Sequence, residues 1–385
     1  MKSSIVLGAG FGDEGKGLTT SYLCSKTDKP LVVRFSGGHQ AGHTVVFNAH
    51  RHVFSNFGSG TLQEVPTFWS RFCTFNPIAV LNEFNALRSF HPMLYVDPLC
   101  PVTTPFDRIY NTLTEKVNNH GSCGVGFGAT MARHESYYRL YVRDLFYSSI
   151  LRAKLDNIIQ YYEKTMPRDH FFMPIAYEEI REQFIKQVEQ VIEIIHTSIN
   201  FSKYDHIIFE GSQGILLDMD FGFFPNVTRS NTTSKNAHQL LQEMGRPSGP
   251  AADVYYVTRS YQTRHGAGFM TNENLPPTLI NNEKETNVTN QYQGEFRKGT
   301  LDLDLLHYAL SYDREFSAHC CKHLVVTCLD QTGEDFPVTI GGNLHTTDAL
   351  ALGKWLGIES EYVIGSRGPN SLLDQSCIEM ATQPA

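Results

Sequence analysis

The chain has no apolar run of about 18 residues, the length a membrane helix needs, so no membrane span is expected. It has no C-x-x-C pair. Its eight cysteines (Cys24, Cys73, Cys100, Cys123, Cys320, Cys321, Cys328 and Cys377) are scattered through 385 residues. That argues against a disulfide scaffold and predicts reduced thiols in a cytoplasmic protein. Positive charge is not in excess: the net charge is −8 and the pI about 6.0, so no basic field favours nucleic acid. Anionic ligands must then be held by local loops. No leader segment is expected, because the first residues already read as a strand. In a cytoplasmic protein the sequons at Asn200, Asn226, Asn231 and Asn287 carry no chemistry. Internal repeats and low-complexity tracts are absent as well.

What the chain does have is an apolar share of 41%, enough for a substantial core, and glycine in clusters. The run Ile5-Val6-Leu7 breaks into a loop with glycines at 8, 10, 12, 15 and 17. A buried strand ending in a permissive turn at the start of a helix is a phosphate-binding device. Gly10, Gly12 and Gly15 fit G-x-G-x-x-G, but the second apolar run, Leu31-Val32-Val33, ends in Arg34 where a dinucleotide fold places an acid. Gly10 to Lys16 fit a P-loop except at the last place, where Gly17 replaces the Mg²⁺-binding hydroxyl. A carboxylate, Asp13, stands inside the loop, where it could join a metal ligand, a base and the cation of Lys16.

The second strand leads straight into Arg34-Phe-Ser-Gly-Gly-His39-Gln40-Ala-Gly42-His43-Thr44. Two histidines four apart between glycines could be a metal pair, but zinc would need further ligands. A catalytic His on a glycine turn facing the first loop is the sharper reading.

Strand, loop, helix (about 17 to 26) and strand make a βαβ unit, hence a parallel sheet. Strands are predicted at 44–47, 93–96, 206–210, 254–261 and 324–327, and helices at 77–87, 106–118 and 303–310. The stretch 177–196 has apolar residues at Ile180, Phe184, Val188, Val191, Ile192 and Ile195, the pattern of an amphipathic helix that packs. Three strand-into-glycine junctions, at Asp13, Gln213 and Arg264, suit ligands gathered at the carboxyl ends of a parallel sheet. The predicted fold is α/β, a mostly parallel central sheet flanked by helices, with a P-loop-like nucleotide site at those ends. One domain over 1–385 is expected, with a helical insertion at about 149–202. A mobile loop is expected at about 272–298, hinged near Gly294 to Arg297.

The pairing of G-D-E-G-K-G with R-F-S-G-G-H-Q-A-G-H-T closely resembles the adenylosuccinate synthetase family. Further blocks follow in the family's order: Glu210-Gly-Ser-Gln213, Pro225-Asn-Val-Thr228-Arg-Ser-Asn231, Tyr261-Gln-Thr-Arg264-His-Gly-Ala-Gly268, Gly299-Thr-Leu-Asp302 and Leu329-Asp330. The resemblance implies a homodimeric ligase that joins L-aspartate to IMP with GTP and Mg²⁺. It makes Asp13 the base and, with Gly42, a metal ligand, and His43 the general acid. Lys16 is the phosphate cation. Gly12, Gly15, Lys16, Gly17, Gly42, His43, Thr44, Asp330, Ser366 and Gly368 form the triphosphate set. Asp13, Gln40, Ser122, Cys123, Gly124, Gln213 and Thr228 form the monophosphate set, and Arg297 with Lys298 the aspartate clamp.

Four departures bear on substrate. Gln40 stands for the family's Asn, and Ser122-Cys123-Gly124 for its Thr-Gly loop. Only Arg297 and Lys298 remain of an arginine-rich run. Cys328 replaces the lysine before the guanine-reading Asp330, so ATP or dATP is open beside GTP. The alternative is the phage-type relative that uses dGMP; retained Asp13 argues for IMP. A non-catalytic nucleotide binder is disfavoured by intact Asp13, Lys16 and His43, and a P-loop kinase by Gly17. At the family's trans-acting arginine stands Tyr137, with Arg133 and Arg139 as nearby candidates.

Overall fold

The computed structural model describes residues 2–118, 124–165, 176–245, 252–280, 285, 287 and 294–369. A nine-stranded, wholly parallel sheet forms its centre. From one edge to the other it runs Val363–Gly365, Cys321–Thr327, Ala252–Arg259, Lys2–Gly8, His206–Gly214, Pro30–Arg34, Thr67–Trp69, Leu94–Val96 and Ile195–His196. The inner strands carry unbroken apolar runs because helices cover both faces. Successive residues of a strand point to opposite faces. Ile5 and Leu7 accordingly join the core built with helices Lys235–Glu243 and Leu303–Ser317, and Val6 joins the opposite core with Leu23 and Cys24.

The predicted parallel sheet is present, and its order explains the site. The strands flanking helix Lys16–Cys24 are not neighbours; His206–Gly214 lies between them. The loops after Gly8, Arg34 and Gly214 therefore meet at one end of the sheet. The strand read at 44–47 is His43–Phe47, half of a separate hairpin with His50–Phe54. Past the turn His50, Arg51 and Val53 are exposed, while Val45 and Phe54 are buried in an apolar cluster, so one face of the hairpin packs and the other meets solvent. The junction at Arg264 also differs from expectation. Tyr261–His265 belongs to a four-stranded sheet with Phe296–Asp302, Phe336–Ile340 and Asn343–Thr347. Residues 296–298, read as the end of a mobile loop, are thus strand; 281–284, 286 and 288–293 lie outside the described residues.

The helix read over 177–196 ends at Val191. Ile195–His196 pairs as the outermost strand beside Leu94–Tyr95. Helices Ser148–Thr165 and Tyr177–Val191 bury Leu151, Leu155, Ile158, Phe184, Ile185 and Val188 in a third apolar cluster. Among the described residues, no helix is long and apolar enough to cross a membrane, and Cys24, Cys73, Cys100, Cys320, Cys321 and Cys328 are free.

Arg133 is not available to a second subunit. It is wholly buried and donates from Nε to Asp107 Oδ1 at 2.7 Å and from Nη2 to Asp107 Oδ2 at 2.9 Å. Tyr162 Oη donates to the same carboxylate at 2.6 Å. Breaking a buried pair strands its partner's charge. Arg133→Ala should therefore destabilise the fold by about 3–5 kcal/mol, seen as a lower urea midpoint. An unchanged midpoint would show that the pair carries no such weight.

Candidate active site

The first glycine loop folds around a side chain that the sequence reading passed over. Glu14 Oε1 accepts from the backbone N–H of Gly10 at 3.1 Å and of Gly12 at 2.7 Å. Its Oε2 accepts from Lys16 Nζ at 2.6 Å, and both side chains are buried. A Cβ on Gly8 would lie 2.2 Å from Glu14 Oε2, so that glycine makes room for the carboxylate. Lys16, read as a phosphate cation, lines the cavity but is paired inside the loop. Gly17, the place where a P-loop carries a hydroxyl, sits against the hairpin: a Cβ there would be 2.8 Å from His43 Cβ and 3.0 Å from Ser59 Oγ. Close helix packing therefore excludes a serine or threonine.

Asp13 takes φ 65°, rare for a residue with a Cβ and typical of loops held for function. The loop is pinned from behind. Arg259 Nε donates to the Asp13 carbonyl at 2.7 Å, and Thr327 Oγ1 to the Glu14 carbonyl at 2.6 Å. These donors stand at the carboxyl ends of two neighbouring strands. The Asp13 side chain is left facing the cavity, with Oδ2 3.6 Å from His265 Nε2.

His43 opens the hairpin and is buried. Its Nδ1 lies 2.5 Å from Glu210 Oε1. Glu210 also accepts from the Ser59 N–H at 3.0 Å and from the Ser59 hydroxyl. Burial pulls His43 below the usual imidazole pKa, Glu210 opposes this, and Arg34 and Lys16 add to it. Burial would raise Glu210, but His43 and Arg34 outweigh it and hold the carboxyl below its ordinary range. An ionised Glu210 accepts a hydrogen bond from the Nδ1–H of a neutral imidazole and leaves Nε2 as the ring's free nitrogen. Negative charge placed near Nε2 would favour its protonation. The sequence names Glu210 as the start of a motif, but only the strand register brings it to His43.

Asp13 and His43 line the same cavity, of about 900 Å³. Gly12, Gly15, Lys16, Gly17, Gln40, Gly42, Thr44, Gln213 and Thr228 line it too. Gln213 has φ 50° at a register shift in its strand, which turns it out of the ladder. Both amide atoms of Gln40 and the Oε1 of Gln213 are buried without partners. Buried amides left unpaired in a cavity wall suit a ligand with matching donors and acceptors.

Other expected residues lie elsewhere. Gly124, with φ 69°, leads to helix Phe127–His134, whose Phe127, Gly128 and Met131 reach the cavity. Ser122 and Cys123 lie outside the described residues. Asp330 is in the short helix Leu329–Thr332, joined to the last strand by Leu329 N–H donating to Ser366 O at 3.0 Å. Ser366 Oγ donates to Gly368 O at 2.9 Å. Asp330, Ser366 and Gly368 are not among the residues that line the cavity.

Arg297 and Lys298 do not line the cavity either. Arg297 donates from Nη2 to the carbonyls of Gly266 and Gly268, at 2.7 and 2.9 Å, and from Nη1 to Glu273 at 2.7 Å. Arg264, opposite Arg297 in the strand pair, does line the cavity, as do Lys16, Arg51, Arg229 and Arg259. Arg264 lies over the Phe11 ring at 4.5 Å, and burial, then Arg297, pulls its pKa to about 10. Its motif was visible in the sequence, but nothing there showed its direction.

The Asp13 carboxylate and the Gly42 backbone offer oxygen donors to the same cavity, and Asp13 forms no ion pair with Lys or Arg among the described residues. That set fits a hard divalent cation such as Mg²⁺.

The family model described as adenylosuccinate synthetase matches residues 5–343. The adenylosuccinate synthetase of Actinobacillus succinogenes is 29% identical over 384 residues, covering 94% of this chain and 86% of that one. That of Acidithiobacillus ferrooxidans is 32% identical over 282 residues, 69% of this chain and 63% of the other. Among solved structures, the fully ligated adenylosuccinate synthetase of Plasmodium falciparum superposes with a TM-score of 0.74 at 19% identity, covering 97% of this chain and all of that one. The succinoaminodeoxyadenylate synthetase of cyanophage S-2L, bound to dGMP and dATP, gives 0.62 at 16%, covering 98% and 97%. These structural likenesses carry the fold. The family match, over most of the length and including both glycine loops, settles the membership: the chain belongs to the adenylosuccinate synthetase family of ligases.

Proposed function

We propose that this ligase joins L-aspartate to the 6-position of IMP with GTP, through a 6-phosphoryl intermediate, giving adenylosuccinate for AMP synthesis. The observation that carries the proposal is that Asp13 and His43, brought from different strand ends, face one cavity. Asp13 takes the N1 proton of the purine, which makes the 6-oxygen a better nucleophile. That oxygen attacks the γ-phosphorus and the nucleoside diphosphate leaves. His43 Nε2, supported from behind by Glu210, carries the proton that stabilises charge at the oxygen. The aspartate amine then attacks C6, phosphate departs with the former 6-oxygen, and the amine's proton returns to the site.

Gln40 and Gln213 are proposed to read the purine, with Thr228, Gly124, Ser122 and Cys123 at the monophosphate. Gly12, Gly15, Lys16, Gly17, Thr44, Ser366, Gly368 and Asp330 would hold the triphosphate. The aspartate carboxylates go to the cations on the paired strands, Arg264, Arg297 and Lys298, of which an arginine offers the bidentate contact. Mg²⁺, held by Asp13 and Gly42, would neutralise charge on the transferred phosphoryl group. A cytoplasmic homodimer is part of the proposal. With Arg133 buried, the exposed Arg139 is its candidate for a contact across the interface.

One observation favours a second reading. Cys328 takes φ 64° and its carbonyl accepts from Ser260 Oγ at 3.1 Å, so a short side chain stands where the family's lysine supports guanine. That loosens selection for GTP and leaves dGMP with ATP or dATP as the alternative pair. Turnover should be measured with IMP and dGMP in parallel, each with aspartate and GTP, ATP or dATP. IMP with GTP is expected to give the fastest product formation. Turnover of dGMP alone would overturn the IMP assignment, and no product from any pair would favour binding without catalysis.

A further inference from the structure

At the other end of the sheet, three side chains of different chemistry converge. Cys321 and His323 alternate along strand Cys321–Thr327 and so point to one face. Asp253 is the direct cross-strand partner of Cys321. One ligand atom from each lies within 4.8 Å of the others, and among the described residues no other three His, Cys, Asp or Glu side chains form such a group. We infer that Asp253, Cys321 and His323 form a binding site for a borderline-soft divalent cation of the Zn²⁺ class.

The imidazole is already oriented. Tyr255 stacks on His323 at 4.2 Å with 10° between the planes, and Tyr362 meets it edge-on at 5.0 Å. Its Nε2 is buried without a hydrogen bond and stands 3.8 Å from Asp253 Oδ1. That is too long for a hydrogen bond. It is close to the separation of about 3.4 Å that two ligands of a tetrahedral zinc ion adopt. The two carboxylate oxygens are divided: Lys2 Nζ pairs with Oδ2 at 3.0 Å, and Oδ1 faces His323. Thiolate, imidazole and carboxylate together select Zn²⁺ or Co²⁺ over the oxygen-seeking Mg²⁺. Three protein ligands leave a fourth position for water. Coordination releases the Cys321 thiol proton to solvent and joins two neighbouring strands at their first turns of ladder. Asp253 and Arg259 are six residues apart on one strand, about 20 Å, so the cation would not touch the catalytic cavity.

The test is a titration of the full chain, stripped with a chelator, with Co²⁺ in excess Mg²⁺. One equivalent should produce a thiolate-to-cobalt charge-transfer band in the near ultraviolet, displaced by Zn²⁺, with a rise in melting temperature. Cys321→Ser should abolish the band, and Cys320→Ser, altering the neighbouring thiol, should leave it. His323→Asn should weaken Zn²⁺ binding by at least about 100-fold, the most that loss of a mere outer partner costs. Asp253→Asn keeps the shape and an acceptor for Lys2; it should weaken Zn²⁺ binding while the metal-free protein melts unchanged. Absence of the band in the unaltered protein, its survival in Cys321→Ser, or its loss in Cys320→Ser would overturn the site.

Discussion

Asp13→Asn is expected to lower kcat by about 10²–10⁴-fold, the range a positioned general base contributes. The effect should fall on kcat rather than on the KM for the purine monophosphate. Asparagine keeps the volume and tolerates positive φ, which the loop imposes at this position. The bond from Arg259 goes to the backbone carbonyl and is untouched. The side chain itself has His265 at 3.6 Å and the cavity in front of it, so its loss leaves no buried charge behind. Turnover near that of the unaltered enzyme would remove Asp13 from the role of base.

The second large effect is expected at Glu14. Alanine there would strand the buried Lys16 ammonium and leave the N–H groups of Gly10 and Gly12 without their acceptor. Loss of one partner of a buried pair costs about 3–5 kcal/mol, which should appear as a lower urea midpoint. Glu14→Leu combined with Lys16→Met separates the loop's stability from its chemistry. Replacing both members by apolar groups of like size is often near neutral for stability, yet it removes the phosphate cation. The double variant should therefore regain the part of the midpoint lost to the stranded ammonium, but not the part lost with the acceptor for Gly10 and Gly12, and remain inactive. An active double variant would show that Lys16 serves the loop and not the phosphate.

Much of this arrangement could be read from the residues. The apolar runs at 5–7, 31–33, 207–209, 254–257 and 324–326 are long enough, and bounded clearly enough by glycine or polar turns, to announce buried parallel strands. The glycine loops announced where ligands gather, and Asp13 and His43 do share a cavity. Long-range register was not legible. Glu210 is 167 positions from His43, and only the insertion of strand His206–Gly214 between the first two strands brings them together. Glu14 was overlooked because a carboxylate in a phosphate loop reads as a ligand, whereas here it turns inward. The placement of Arg297 and Arg264 was likewise not legible in the sequence. Strand pairing sets them opposite each other and both donate to backbone carbonyls, yet of the two only Arg264 lines the cavity.

The central claim is that Asp13 and His43 together activate the purine 6-oxygen for phosphoryl transfer. Turnover of monophosphate carrying ¹⁸O at the 6-position, followed by mass analysis of the released phosphate, tests it directly. The account predicts one ¹⁸O atom in each phosphate formed. Phosphate released without label during product formation would contradict it.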